Sequence, residues 1–241
     1  MERQIEGLAG AFLLALGSSS CIAPQQGAQC PCSNAASSTS AADAPGATGT
    51  TAATAPPAVK PKGALIADGT SATLLNIDPP GTWFVLNDKT AKGTMIPPST
   101  GEFASALVNG AVHSSGKGFS DWGGGIGFNF VGADSLTPLD ASAYGGISFK
   151  ASGSAPMHIG LATVATMPEF GVCTKCYDHF AADITPTATP KVYSFKWSQL
   201  HQGGSGAPRA SLDPHTLIGV NFTSKGTAAW DFTLDDISFI Q

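Results

Sequence analysis

Short segments that alternate apolar and polar residues, each closed by a turn, dominate residues 63 to 241 of this chain. The segments are rich in aromatic and β-branched residues and are separated by Gly, Pro, Asn and Asp. They are "TWFVLN", "GEFASALVN", "GIGFNFV", "GGISFKASG", "MHIGLATVA", "KVYSFKW", "LIGVNFTS" and "WDFTLDDISFI". No window of twelve or more residues shows the apolar period of a helix. The pattern predicts an all-β fold, either a sandwich or a barrel, and a jelly-roll β-sandwich is the commonest solution at this length.

The first 21 residues predict export from the cytoplasm. An early arginine precedes an apolar run over residues 8–16, which is too short to span a bilayer and has the length of a signal-peptide core. Cys21, after a glycine and three serines, resembles the lipobox cysteine of bacterial lipoproteins, which is lipidated. Two glutamates before the apolar run weaken its positive N-terminal region. The chain is therefore either an outer-membrane or cell-surface lipoprotein or a freely secreted protein. The membrane is therefore a partner only through a lipid on Cys21.

Residues 22–62 are built from Ala, Ser, Thr, Pro and Gly, which bury too little apolar surface to fold. We therefore predict a disordered linker that displays one domain over residues 63–241. Cys30 and Cys32 in this linker pair with each other, pair between chains or stay free. Charged residues make up only 12% of the chain, its net charge is −5, and there is no basic cluster, so the composition argues against a nucleic-acid partner.

The alternation of the last predicted strand slips by one residue at Asp235 and Asp236, between Leu234 and Ile237. Such a slip predicts a β-bulge, and two carboxylates on a bulge need either solvent or a cation. Calcium is the obvious cation outside cells, because it binds several carboxylate and carbonyl oxygens. A structural calcium site and two solvated edge carboxylates are both open.

The order of several motifs along the chain resembles the galactose-binding-like β-sandwich domains. It is similar in particular to those of myxobacterial surface lipoproteins, which are related to family 11 carbohydrate-binding modules. The motifs are "GTWFVLND", "GFSDWGGGIGFNF", "LDASAYGGISFKASG", "CTKCYDHF", "VYSFKWSQLHQGG" and "FTLDDISFI". The resemblance implies a calcium ion that joins the start of the domain to its last strand, at Asp68 and Asp235. It names no ligand, because this fold serves many functions.

The segment "GVCTKCYDHF" contains two cysteines three residues apart, Cys173 and Cys176. A zinc site normally needs four protein ligands, and the domain has no second cysteine pair. Thioredoxin-like chemistry expects an α/β context that the sequence lacks. In an exported chain the favoured interpretation is a disulfide, which shapes a short loop and presents the four residues 177–180.

Sugar-binding surfaces combine flat apolar faces with carboxylates, amides and imidazoles that bond hydroxyl groups. The residues with this chemistry that lie near turns are Trp83, Phe84, Asn87, Asp88, Asp121, Trp122, His158, Asp178, His179 and Gln202. Each tryptophan is also explained as a core residue. The sequence thus predicts a non-catalytic module that binds a polysaccharide or cell-surface glycan. Two alternatives remain: a structural or adhesive surface lipoprotein without a sugar site, and a carbohydrate-active hydrolase.

Overall fold

The computed structural model describes residues 57–99, 103–133 and 137–241. In this part of the chain the strands are β1 Leu65–Ala67, β2 Trp83–Asn87, β3 Thr94–Ile96, β4 Leu107–Val108, β5 Ala111–Lys117, β6 Gly124–Asn129, β7 Gly146–Gly153, β8 Met157–Thr163, β9 Phe180–Ile184, β10 Lys191–Lys196, β11 Leu217–Ser224 and β12 Trp230–Ile240. Short 3-10 helices occupy Phe103–Ala106, Val164–Thr166, Pro168–Phe170, Trp197–Gln199 and Pro214–Thr216. None of the helices described is long and apolar enough to cross a membrane.

The strands form two antiparallel sheets, which confirms the predicted all-β jelly-roll sandwich. One sheet has seven strands in the order β10-β7-β12-β5-β3, with β1 paired to β12 and β4 paired to β5. The other has five strands in the order β2-β6-β11-β8-β9. Apart from β4–β5 and β8–β9, neighbouring strands are not consecutive in the sequence, so the sheets depend on long-range pairing.

Aromatic side chains from both sheets meet in one core. Phe149 of β7 lies edge-on to Phe222 of β11, with ring centroids 5.2 Å apart, and Phe128 of β6 lies 6.4 Å from the same ring. All three phenylalanines are fully buried. Burial of each such side chain contributes roughly 1.5–3 kcal/mol, so this cluster is a main source of the sandwich's stability.

Trp83 belongs to the same core and is not a surface platform. Its ring stacks on Phe103 at 5.0 Å and lies edge-on to Phe128 at 4.9 Å, and only 7% of the residue is exposed. Trp83 therefore presents no face to a ligand, and its inclusion in the predicted binding set is wrong. Side chains alternate between the two faces of a strand, so Trp83 points into the core and its neighbour Phe84 points outward.

Two predicted boundaries also need correction. In the described part of the predicted strand "GEFASALVN", residues 103–109, only Leu107–Val108 is a strand, because Phe103–Ala106 forms a 3-10 helix and the Phe103 side chain packs against the core. The end of the predicted linker is attached to the domain. Val59 donates from its N–H to Pro138 at 2.9 Å and accepts from Asp140 at 2.7 Å, and its side chain packs against the core. The remaining predicted segments, residues 1–21 with Cys21 and residues 22–56, lie outside the described residues.

The predicted bulge in the last strand is confirmed. The register between β12 and β7 shifts between Asp235 and Ser238, and Asp236 has a positive φ of 48°. The Lys150 ammonium of β7 lies 3.6 Å from the Asp235 carboxylate and 3.7 Å from that of Asp236. The bulged carboxylates thus have a cationic partner within the sandwich itself.

Candidate functional site

A groove of about 970 Å³ crosses the outer face of the five-stranded sheet. Two cross-strand rows of residues form its floor, because side chains of one parity all point to the same face. One row is Phe84, Gly127, Asn221, Gly160 and Ala181, and the next is Leu86, Gly125, Thr223, His158 and Asp183. Glycine or alanine occupies four of these ten positions, and two of the four, Gly160 and Ala181, line the groove.

The floor is open above Gly160 and closed above Gly127. A Cβ atom on Gly160 would lie 3.7 Å from His179 Cβ and 3.9 Å from His158 Nε2, which are ordinary contacts. A Cβ atom on Gly127 would lie 2.6 Å from both Asn221 Oδ1 and the Val220 carbonyl oxygen. Gly127 is therefore required by packing, whereas the absence of a side chain at Gly160 serves to leave space.

Exposed aromatic rings lie at the two ends of this floor. Trp122, 40% exposed, belongs to the loop that enters β6, and Tyr177, 64% exposed, belongs to the cysteine loop that precedes β9. Both rings line the groove together with Phe84. Such rings are suited to contact the apolar C–H face of a pyranose.

The cysteine loop is stapled as predicted, by a Cys173–Cys176 disulfide. The loop is also attached through Asp178, whose carboxylate accepts backbone N–H groups from Gly203 at 2.9 Å, Gly204 at 3.0 Å and Gly206 at 2.9 Å. Burial raises the pKa of Asp178, but the three backbone donors lower it below its usual value overall. The carboxylate is therefore ionised at neutral pH and connects two loops.

Residues 202–209 complete this two-loop unit. The Gln202 amide donates to the Asp178 carbonyl oxygen at 2.8 Å and accepts from Arg209 N at 2.7 Å, while the Arg209 guanidinium donates to the Val172 carbonyl oxygen at 3.1 Å. Gln202 and Asp178, both predicted to contact ligand, thus use their polar atoms to fix the loop that presents Tyr177.

Two histidines line the groove between the sheet and this loop. His158 Nδ1 lies 2.7 Å from Asp183 Oδ1, and His179 Nδ1 lies 2.9 Å from the Thr166 hydroxyl. Burial lowers the pKa of His179 to about 4, with a smaller opposing contribution from Asp178. His179 is therefore neutral at pH 7, where its imidazole can both donate and accept a hydrogen bond.

The lowered pKa of His179 makes the stability of the domain depend on pH. The unfolded chain binds a proton near pH 6.5 and the folded chain only near pH 4, so this contribution is complete above pH 6.5 and is lost as the pH falls toward 4. We expect up to about 3 kcal/mol of unfolding free energy to be lost over this interval. Urea unfolding of the parent and of His179→Gln from pH 7 to pH 4 measures the loss. If the free energy of unfolding falls equally with pH in both proteins, the loss does not come from His179.

The remaining predicted residues lie at the Trp122 end. Asp88 accepts backbone N–H groups from Asp121 at 2.8 Å and from Gly123 at 3.1 Å. Burial raises its pKa, but these bonds and those from Thr90 lower it to about 2. Asp88 thus fixes the turn that carries Trp122. Asn87 lines a smaller neighbouring pocket of about 420 Å³, and Asp121 is exposed outside both cavities.

Of the ten predicted binding residues, five line the groove: Phe84, Trp122, His158, Asp178 and His179. Sequence reasoning missed Leu86, Gly160, Asn221 and Thr223. Alternation along β2, β8 and β11 identifies these as outward-facing positions. These residues come together in two cross-strand rows because of the strand order, which cannot be predicted from alternation.

No protein-family profile and no curated protein matches the chain. Among solved structures, the chain is similar to a family 11 carbohydrate-binding module from Clostridium thermocellum in complex with a β-1,3-1,4-mixed-linked tetrasaccharide, with 17% identity, a TM-score of 0.48, and coverage of 74% of this chain and 95% of that one. A family 11 module of a cellulosomal cellulase from the same organism gives 16% identity, a TM-score of 0.46, and coverage of 74% and 94%. A family 30 carbohydrate-binding module of another cellulosomal cellulase of that organism has 13% identity and a TM-score of 0.37, with coverage of 75% of this chain and 92% of that one. At this level of similarity the function has to be argued from the groove itself.

Proposed function

We propose that this protein is a carbohydrate-binding module whose groove binds a polysaccharide chain. The observation that carries the proposal is an open, small-residue floor that crosses five strands between exposed aromatic rings. Four strand spacings correspond to about 19 Å, which suits an oligosaccharide better than a single sugar. Trp122 and Tyr177 supply apolar faces, while the Asn221 amide and the Thr223 hydroxyl on the floor bond sugar hydroxyl groups.

The same groove supports a non-catalytic role over glycoside hydrolysis. Hydrolysis needs two carboxyl groups, one to protonate the leaving group and one to act as nucleophile or base. Among the described residues that line the groove, the one acidic residue is Asp178. Its carboxylate oxygens accept three backbone N–H groups. Asp183 at the edge of the floor pairs with His158. The described residues that line the groove therefore include no pair of carboxyl groups.

Calcium and surface display are further parts of the proposal. Pairing of Ala67 with Ile237 places Asp68 beside the bulge at Asp236, which supports a shared ion. Lys150 already contacts both bulge carboxylates, and no group of three or more metal-binding side chains occurs among the described residues, so calcium would have to displace this ammonium. Display through lipidated Cys21, or free secretion, is proposed from the sequence alone.

The test is binding of the chain to immobilised polysaccharides, with calcium and again with chelator. Trp122→Ala is expected to raise the Kd of the bound polysaccharide about tenfold to thirtyfold, because truncation of an aromatic contact with the ligand typically costs ~1.5–2 kcal/mol. The matched control is Val192→Ala, an exposed apolar residue of the seven-stranded sheet, which should leave the Kd unchanged. A folded parent that binds no polysaccharide would favour the structural or adhesive alternative.

A further inference from the structure

Two lysines converge at the Trp122 end of the groove. Gly124, the first residue of β6, pairs with Asn87 at the end of β2 and with Ser224 at the end of β11. Lys89 lies two residues after the end of β2 and Lys225 one residue after the end of β11, on either side of the loop that carries Trp122, and both line the groove. Two strand spacings separate their backbones by about 10 Å, so the two ammonium groups can reach one ligand group.

Neither lysine is neutralised by a neighbour. Among the described residues, Lys62 pairs with Asp78 at 2.8 Å and Lys150 with Asp235 at 3.6 Å, whereas no carboxylate lies within salt-bridge distance of Lys89 or Lys225. The chain as a whole has a net charge of −5. What is local is that two lysines without an ion pair line the same end of one groove in a chain of negative net charge.

The carboxylates near the groove either accept backbone N–H groups or lie outside the groove. Asp178 lies at the opposite end, in the cysteine loop, where three backbone N–H groups surround it. Asp88 accepts N–H groups from the Trp122 loop, and Asp121 is exposed outside the groove. At the Trp122 end, the charged side chains that line the groove are therefore both positive.

Building on the proposed function, we infer that the polysaccharide is acidic and that its anionic group binds between Lys89 and Lys225, with a sugar ring on Trp122. A carboxylate of a uronic acid and a sulfate ester share the required chemistry. Two lysines do not form the basic tract that a nucleic acid needs, which favours a charged sugar.

The experiment measures binding of the full chain to polygalacturonate, to a sulfated galactan and to a neutral β-glucan, in low salt and in about 150 mM salt. The parent is expected to prefer an acidic polymer, and the two acidic polymers distinguish the carboxylate from the sulfate. Lys89→Gln with Lys225→Gln should weaken that binding about tenfold and reduce its salt dependence. The backbone bond from Lys89 N to Asn87 Oδ1 does not involve the substituted side chain and is retained.

The matched control is Lys191→Gln with Lys196→Gln on β10, in the other sheet, which should leave binding unchanged. If the parent prefers the neutral glucan and Trp122→Ala abolishes that binding, the acidic ligand is wrong while the proposed function stands. If no polysaccharide binds in a manner that depends on Trp122, both fail. Tight, lysine-dependent binding of single-stranded DNA in place of the acidic polymers would also overturn the inference.

Discussion

Gly160→Leu is expected to abolish polysaccharide binding and leave the fold intact. The new Cβ atom would lie 3.7 Å from its nearest neighbour, so the strand accepts it, while the remaining side-chain atoms project into the middle of the groove floor. Glycine also weakens a strand interior, so the variant should unfold at the same urea concentration as the parent or a higher one. We expect the Kd to rise at least about thirtyfold, or ~2 kcal/mol. Titration calorimetry measures the Kd, and urea unfolding measures stability.

Gly160→Ala is the matched control, because one methyl group fits the floor without filling it. It should bind within about threefold of the parent. Gly127→Ala should instead lower stability, because its Cβ atom would lie 2.6 Å from the Val220 carbonyl oxygen. A folded Gly160→Leu that binds with the parental Kd would show that the ligand contacts another surface.

The strands with aromatic or β-branched alternation could be predicted from the sequence. Predicted segments 217–224 and 230–240 coincide with β11 and β12, and the bulge at Asp235 follows from the slipped parity. β5 was missed because Val112 is followed on the inward face by the small residues Ser114 and Gly116, so the apolar alternation stops after one residue. Gly116 faces the Trp230 ring so closely that a Cβ atom would lie 2.5 Å from it. The apolar volume at that position comes from another strand, so the local sequence shows no strand signal.

The candidate site was less predictable because it depends on strand register. The sequence does not distinguish Trp83 from Trp122, but Trp83 faces the core and Trp122 faces the groove. The chemistry of Asp178 and Gln202 suits a sugar, but backbone groups of a distant glycine-rich loop use their polar atoms. The groove floor is made by positions without a side chain, such as Gly160, which no pattern of polar or aromatic residues reveals.

Asp178→Ala is expected to produce the largest loss of stability among the polar substitutions at this site. It removes the acceptor of three backbone N–H groups, and each such bond to a charged acceptor typically contributes about 1.5–3 kcal/mol. Water replaces part of this, since Gly203 and Gly204 are exposed. We therefore expect a net loss of ~3 kcal/mol in the free energy of unfolding, measured by urea titration.

The same substitution should weaken ligand binding in conditions where the domain is still folded. Asp178 connects the cysteine loop to residues 203–206, so without its carboxylate the segment that presents Tyr177 loses three of its bonds and is restrained less tightly, by the disulfide and the remaining backbone bonds. Asp121→Ala is the matched control, because this exposed carboxylate lies outside the groove, and it should change stability by less than about 0.5 kcal/mol. Asp178→Asn keeps one acceptor oxygen, so its free energy of unfolding should lie between those of Asp178→Ala and Asp121→Ala. If Asp178→Ala unfolds at the same urea concentration as Asp121→Ala, the carboxylate does not hold the two loops together, and the position of Tyr177 must depend on the disulfide and on the bond from Tyr177 N to the Thr166 carbonyl oxygen.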